Sequence, residues 1–217
     1  MSIKILLADD HRIMREGLRS LIENEPDMEV VAEAGDGRTT VRLAEEVSPD
    51  VAVIDITMPE LNGIEASSQI AARAPHIKVL ALSMHSDEHF VTGMLRAGAS
   101  GYLLKDCAAE ELCRAIRSLV ANETHLSPKI ASIVIEDYRR GLSETRPARG
   151  KQLTSREREV LQLVTEGETS KKIASRLCVS VKTIDAHRQQ IMDKLDIRSV
   201  AGLTKYAIRK GITSIQL

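Results

Sequence analysis

The sequence predicts an α/β unit, a doubly wound parallel five-stranded sheet, followed by a small all-α helix-turn-helix unit. Three observations lead there. Short runs rich in aliphatic and β-branched residues alternate with helical apolar patterns through residues 3–121, as buried parallel strands joined by crossover helices do. From Leu153 a compact all-helical unit follows, each helix start marked by Ser or Thr. The two halves also differ in charge: residues 1–121 hold 12 Lys and Arg against 20 Asp and Glu, net −8, and residues 122–217 hold 18 against 11, net +7.

Taken in order, the strands fall near 3–8, 28–34, 51–54, 77–82 and 101–104, with helices near 12–24, 37–47, 63–74, 87–97 and 108–121. Pro26-Asp27, Gly35-Asp36-Gly37, Ser48-Pro49-Asp50, Pro75 and Gly98 punctuate the joints. Ser127 then reads as an N-cap with Pro128 at the first helical position, opening a helix to about Arg140. Gly141 through Lys151 is polar with two Gly and one Pro, a tether. The expected segments are therefore 1–121, a linking helix and tether over 122–152, and 153–217.

At 217 residues the chain suits two domains, and 43% hydrophobic with 28% charged residues is ordinary for a soluble protein. No apolar run approaches the roughly 18–20 residues that span a bilayer. Met1-Ser2-Ile3-Lys4 leads directly into a strand, so no cleavable signal or membrane partner is expected, and three cysteines without an even count or ligand spacing make a reducing cytoplasm the expected compartment. Cys107, Cys113 and Cys178 lack metal-ligand spacing and are expected to pack in apolar helical patterns. The histidines at 11, 76, 85, 89, 125 and 187 share no ligand spacing; His85 and His89 are i, i+4 but lack a third ligand. An acidic half joined to a basic half suggests a cation or regulatory site in one and a polyanion partner in the other.

Four strands end on polar residues suited to phosphoryl chemistry: Asp9-Asp10, Asp55, Ser83 and Lys105. In a parallel sheet the carboxyl ends line the ligand crevice, so these residues converge. Three close carboxylates repel unless one keeps a proton or a hard cation neutralises them. Mg²⁺ fits, since it binds through one or two carboxylates and accepts phosphate oxygens. Asp55 is the candidate nucleophile, Lys105 a mobile charge for phosphate and Ser83 a hydroxyl donor. Singly, each has a plainer role as a turn, a cap or a surface lysine; their joint placement carries the reading.

D-D-H at 9–11, D-I-T-M-P-E-L-N-G at 55–63, A-L-S at 81–83 and G-Y-L-L-K at 101–105 resemble response-regulator receiver domains of the CheY-like fold. The resemblance implies that Asp55 accepts a phosphoryl group from a sensor histidine kinase. It implies Mg²⁺ held by Asp10, Asp55 and the backbone carbonyl of Thr57, with Asp9 acting largely through water. Ser83 would move toward the phosphate, Lys105 would pair with it, and Tyr102 matches the aromatic that turns inward on activation. Many receivers carry Pro after the lysine, often in a cis bond; this chain has Asp106, leaving that bond's isomer open.

In the basic half, Thr154 and Glu157 form a capping-box pattern, Gly167 ends the first helix, Thr169 caps a second with Ile173, Ala174 and Leu177 inward, and Ser180 caps a third to about Leu195. Helix, short turn, longer helix is the helix-turn-helix pattern. Ile184, Ile191 and Leu195 form its apolar stripe. Lys182, Thr183, Asp185, Ala186, Arg188, Gln189 and Lys194 are the candidate DNA contacts. Gln189 suits adenine, Ala186 a thymine methyl, Asp185 a cytosine amino group, and Lys182, Arg188 and Lys194 phosphates. Arg188 also extends the apolar stripe, so its stem could pack inside.

This half resembles the LuxR-type DNA-binding domain, so the whole resembles a NarL/FixJ-type transcriptional regulator: receiver 1–121, linker 122–152, helix-turn-helix domain 153–217. The resemblance implies double-stranded DNA with an inverted repeat as partner, a homodimer when active, and RNA polymerase as a further candidate partner. Val200, Leu203, Ala207 and Ile208 on the last helix, about Ser199–Arg209, are the dimer candidates; a small domain's own core would use the same residues. Three other readings compete. An aspartate-nucleophile phosphatase would need a second Asp where Thr57 stands. A constitutive DNA binder would never be phosphorylated. A ligand-sensing LuxR-type regulator would need a cavity domain, which the strand-helix pattern leaves no room for. Aromatic content of 2% disfavours base-stacking single-strand or RNA recognition.

Overall fold

The computed structural model describes residues 2–84, 86–106, 109–143 and 153–213. His85, Cys107 and most of the expected tether lie outside them. The chain divides into two units, Met1–Ser143 and Glu144–Leu217.

The first unit runs β1 (Ile3–Ala8), α1 (Arg12–Glu23), β2 (Met28–Ala34), α2 (Gly37–Val47), β3 (Val51–Asp55), α3 (Gly63–Arg73), β4 (Lys78–Ser83), α4 (Glu88–Arg96), β5 (Gly101–Leu104), α5 (Ala109–Val120), β6 (His125–Leu126) and α6 (Pro128–Ser143). The expected strands and helices of residues 3–121 form within a residue of their expected limits. All strands pair in parallel, in the order β2-β1-β3-β4-β5-β6. Burial on both faces explains the nearly continuous apolar runs of the central strands β3 and β4, whereas the edge strand β2 keeps Glu29 exposed and Glu33 half-buried. One face carries Leu6, Ile54, Val79 and Ala81 against α2, α3 and α4; the other carries Ile5, Leu7, Val53 and Leu82 against α1 and α5.

The sheet has six strands, not the five expected. His125–Leu126 is too short to show an apolar run, and it forms by pairing with the open edge of β5. The helix expected to link the domains packs on this first unit. Ile130 is fully buried in the core beside Met94 and Tyr102, with Ile133 and Val134 partly buried against it, an i, i+3, i+4 stripe. Ion pairs flank that stripe, Arg140 to Glu88 at 2.6 Å and Arg96 to Asp137 at 3.2 Å.

The second unit holds α7 (Ser155–Thr165), α8 (Ser170–Arg176), α9 (Val181–Leu195) and α10 (Val200–Arg209) around Leu161, Leu163, Ile173, Ile184, Ile191, Leu203 and Ala207. Thr154 caps α7 in a two-way capping box with Glu157, and Thr169, Ser180 and Ser199 cap the other three. No described helix is long and apolar enough to cross a membrane.

Candidate functional site

The strand order reverses between β1 and β3, and there the carboxyl ends open a crevice. Ala8 pairs with Ile54, so Asp9-Asp10 and Asp55 leave neighbouring strands at the same edge. Asp55 ends β3, Ser83 ends β4, and Lys105 follows β5. The loop after Asp55 is folded back tightly: the Gly63 N–H donates to the Ile56 carbonyl at 2.8 Å, and the Asn62 side chain caps α3 through the Glu65 N–H at 3.0 Å. A Cβ on Gly63 would stand 2.1 Å from the Asp55 carbonyl oxygen, so glycine is the side chain that this turn admits.

The expected residues come together. Lys105 Nζ lies 2.7 Å from Asp9 Oδ2 and 2.9 Å from Asp55 Oδ2, with all three side chains almost wholly buried. Burial pushes the Asp55 carboxyl up to about 6; Lys105 opposes that shift, while Asp9 and Asp10 add to it. Burial would lower the Lys105 ammonium, but Asp55 and Asp9 outweigh it and hold its pKa above the usual lysine value. Carboxylate oxygens of Asp9, Asp10 and Asp55 and a ring nitrogen of His11 all lie within 4.8 Å of one another. Three carboxylates facing one ammonium leave an excess of negative charge on hard oxygen donors, the donor set that a small divalent cation takes.

Ser83 and Tyr102 are fully buried, and their side chains are hydrogen-bonded. Burial pushes the Tyr102 hydroxyl up to about 12, so it stays protonated. Thr57 is half-buried in the loop after β3. No cis peptide bond occurs among the described residues, so Lys105-Asp106 is trans. Two residues at this pocket were not singled out from the sequence for a role here. His11 Nδ1 stands 2.8 Å from Asp10 Oδ1, and Arg15 Nη1 donates to the Asp9 carbonyl at 2.6 Å. The signal available in the sequence is their place in D-D-H-R-I-M-R, four apart, with His11 at the N-cap of α1 and Arg15 at its fourth position.

In the second unit Lys182, Thr183, Asp185, Ala186 and Gln189 are exposed on α9, and Ile184 and Ile191 are buried. Arg188 is half-buried, and its Nη1 donates to Ser170 Oγ at 2.9 Å, which in turn contacts Asp185 Oδ1 at 2.9 Å. Lys194, a candidate phosphate contact, lies 2.7 Å from the buried Glu157 carboxylate and ties α9 to α7, with 31% of its side chain exposed. Burial would raise Glu157, but Lys194 and Thr154 hold its carboxyl below the ordinary range. Leu203 and Ala207, expected at a dimer contact, are buried in this unit's own core, because a domain this small needs them there; Val200 is exposed and Ile208 half-buried. Cys113 is buried as expected, whereas Cys178 stands exposed in the α8–α9 turn at φ 53°.

Fold and pocket together define a receiver module, and the four capped helices a helix-turn-helix module. The family model "Response regulator receiver domain" matches residues 5–117, and "Bacterial regulatory proteins, luxR family" matches residues 151–207. The chain is 36% identical over 227 residues to the transcriptional regulatory protein DegU of Brevibacillus brevis, covering 99% of this chain and 96% of that one. It is 38% identical over 216 residues to the oxygen regulatory protein NreC of Staphylococcus haemolyticus (strain JCSC1435), covering 97% of this chain and 99% of that one. A solved structure of RcsB from Salmonella enterica serovar Typhimurium, bound to promoter P1flhDC in the presence of phosphomimetic BeF3-, matches with TM-score 0.60 and 25% identity over 98% of this chain and 100% of that one. The chain belongs to the NarL/FixJ-type response regulators and is a two-component regulator of transcription with a receiver and a LuxR-type DNA-binding domain.

Proposed function

We propose that Asp55 is the phosphoacceptor. The observation that carries this reading is a buried carboxylate at the sheet's switch point, ion-paired to Lys105 and crowded by Asp9 and Asp10. An Asp55 oxygen attacks the phosphorus of a phosphohistidine on a sensor kinase. The new O–P bond forms as the P–N bond breaks, its electron pair returning to the imidazole nitrogen. Lys105 follows the phosphoryl oxygens with its ammonium, and Ser83 offers its hydroxyl, with Tyr102 hydrogen-bonded behind it. Asp10, Asp55 and the Thr57 carbonyl are the residues to hold Mg²⁺, with Asp9 assisting through water. When bound, that ion neutralises the carboxylates and the charge on the transferring phosphoryl group. Thr57 stands where aspartate-nucleophile phosphatases carry a second Asp, which favours a stored acyl phosphate over turnover.

On DNA, Lys182 and Arg188 serve phosphates, while Asp185, Ala186 and Gln189 face base edges, with Thr183 beside them. Phosphorylation changes dimerisation or domain contacts, and the active form is a homodimer on an inverted repeat in the cytoplasm. Val200 is an exposed large apolar residue of α10 offered to that pairing. The test is incubation with a small phosphodonor and Mg²⁺, reading intact mass and mobility on promoter DNA. Wild type gains one phosphoryl mass and shifts the DNA more strongly; Asp55→Ala does neither. Equal mass gain in both proteins places the acceptor elsewhere and overturns the reading.

A further inference from the structure

Arg15 touches the backbone of the acidic loop. It lies in the first turns of α1, its Nη1 donates to the Asp9 carbonyl at 2.6 Å, and its Nε stands 3.3 Å from Glu33 Oε2 on β2. The other Glu33 oxygen is 2.8 Å from Arg19 Nη1, so Glu33 is itself held in place. The Arg15 side chain is only 18% exposed. On the other side of Asp9, its N–H donates to the Ala34 carbonyl at 3.1 Å. Two consecutive peptide planes are thereby fixed, and because a peptide plane turns as a unit, fixing the Asp9 carbonyl also fixes the direction in which Asp10 leaves the strand.

We propose that Arg15, oriented by Glu33, is a positioning residue for the divalent-cation site: it pins the Asp9 carbonyl and so aims the Asp10 carboxylate. The proposal rests on reading the pocket as that site. Two effects of removing Arg15 have opposite signs, which makes the idea decidable. As a bare positive charge, the guanidinium repels a cation, and its loss would tighten binding. As an anchor, its loss lets the loop turn and weakens binding. Glu33 offsets much of the Arg15 charge, so geometry dominates. Outer-shell partners of metal ligands typically change affinity about 10–100-fold when removed.

The experiment is calorimetric titration of the full chain with Mg²⁺ and Mn²⁺, alongside thermal melting of the metal-free proteins as a separate measure of folding. Arg15→Met and the charge-preserving Arg15→Lys are both expected to bind about tenfold more weakly or worse. Glu33→Gln, which replaces the ion pair by a weaker neutral amide contact and so loosens the guanidinium, is expected to bind more weakly than wild type, and it carries the test if Arg15→Met does not fold. Unchanged or tighter binding by Arg15→Met overturns the proposal, as does wild-type affinity in Arg15→Lys or in Glu33→Gln. If wild type takes up neither ion, or Asp10→Asn binds as wild type does, the reading of the pocket fails first and the proposal falls with it.

Discussion

The Lys105 ammonium stands 2.9 Å from Asp55 Oδ2, with side chains only 4% and 5% exposed. Yet burial, with repulsion from Asp9 and Asp10, outweighs that attraction and leaves the Asp55 carboxyl raised to about 6 from an ordinary value of 3.8. The folded chain therefore holds a proton between those two values that the unfolded chain releases. The stabilisation is complete below the lower value and is lost as pH rises through the upper one. Replacing Asp55 by Asn removes this liability. In EDTA at pH 7.5, Asp55→Asn is expected to be more stable than wild type by on the order of 1–3 kcal/mol, the gap closing toward pH 4. Denaturant melts at the two pH values check it, and equal stability at pH 7.5 contradicts it.

The same crowding is expected to make the first unit responsive to a divalent cation. A ligand that binds only the folded state at one hundred times its dissociation constant adds about 2.7 kcal/mol. Mg²⁺ is expected to raise the melting temperature of wild type well beyond NaCl at equal ionic strength, and to raise that of Asp10→Asn or Asp55→Asn little. Thermal melts with EDTA, Mg²⁺ or NaCl measure this. An equal Mg²⁺ response in wild type and Asp10→Asn would remove Asp10 from the ligand set.

Gly63 couples the fold to the chemistry. A methyl group there would meet the Asp55 carbonyl oxygen at 2.1 Å, and the neighbour is backbone, which has no rotamer to yield. Relief requires moving the β3–α3 loop, the segment that also bears Thr57. Gly63→Ala is expected to cost roughly 1–3 kcal/mol of stability, as overpacking commonly does, and to slow acyl-phosphate formation. Urea melts and the initial rate of mass gain with a small phosphodonor are the readouts; wild-type values for both would show that the loop can relax freely.

The pocket was legible in the sequence because each of its acids, its hydroxyl and its lysine sits at or just past a strand end, and a parallel sheet brings those ends to one edge. Chain order and periodicity are enough for that inference. β6 was not legible: two residues carry no period, and the strand exists because an open edge lies beside it. The stripe of Ile130, Ile133 and Val134 shows that α6 is amphipathic, but not which surface covers it. Leu203 and Ala207 posed the same ambiguity, since apolar spacing announces burial without naming the partner. The contacts of Arg15 with Asp9 and of Lys194 with Glu157 depend on where long side chains end in space, which no local pattern encodes.

Two lysines of α9 that look alike in sequence should therefore behave differently. Lys182 is exposed at the start of the helix, whereas the Lys194 ammonium is 2.7 Å from Glu157, a carboxylate that also closes the α7 capping box through the Thr154 N–H at 2.8 Å. Removing Lys182 deletes one candidate phosphate contact and nothing structural. Lys182→Ala is expected to leave unfolding unchanged and to lower the slope of log affinity against log salt by about 1 on any duplex sequence. Removing Lys194 leaves a buried carboxylate without its ion-pair partner. Lys194→Met is expected to destabilise the C-terminal unit by about 1–3 kcal/mol, the usual worth of a hydrogen bond to a charged group, with little change in salt slope for the fraction that remains folded. Melting curves and salt-dependent mobility shifts on both variants separate the roles. A lowered salt slope in folded Lys194→Met, with unaltered melting, would return that lysine to the DNA surface.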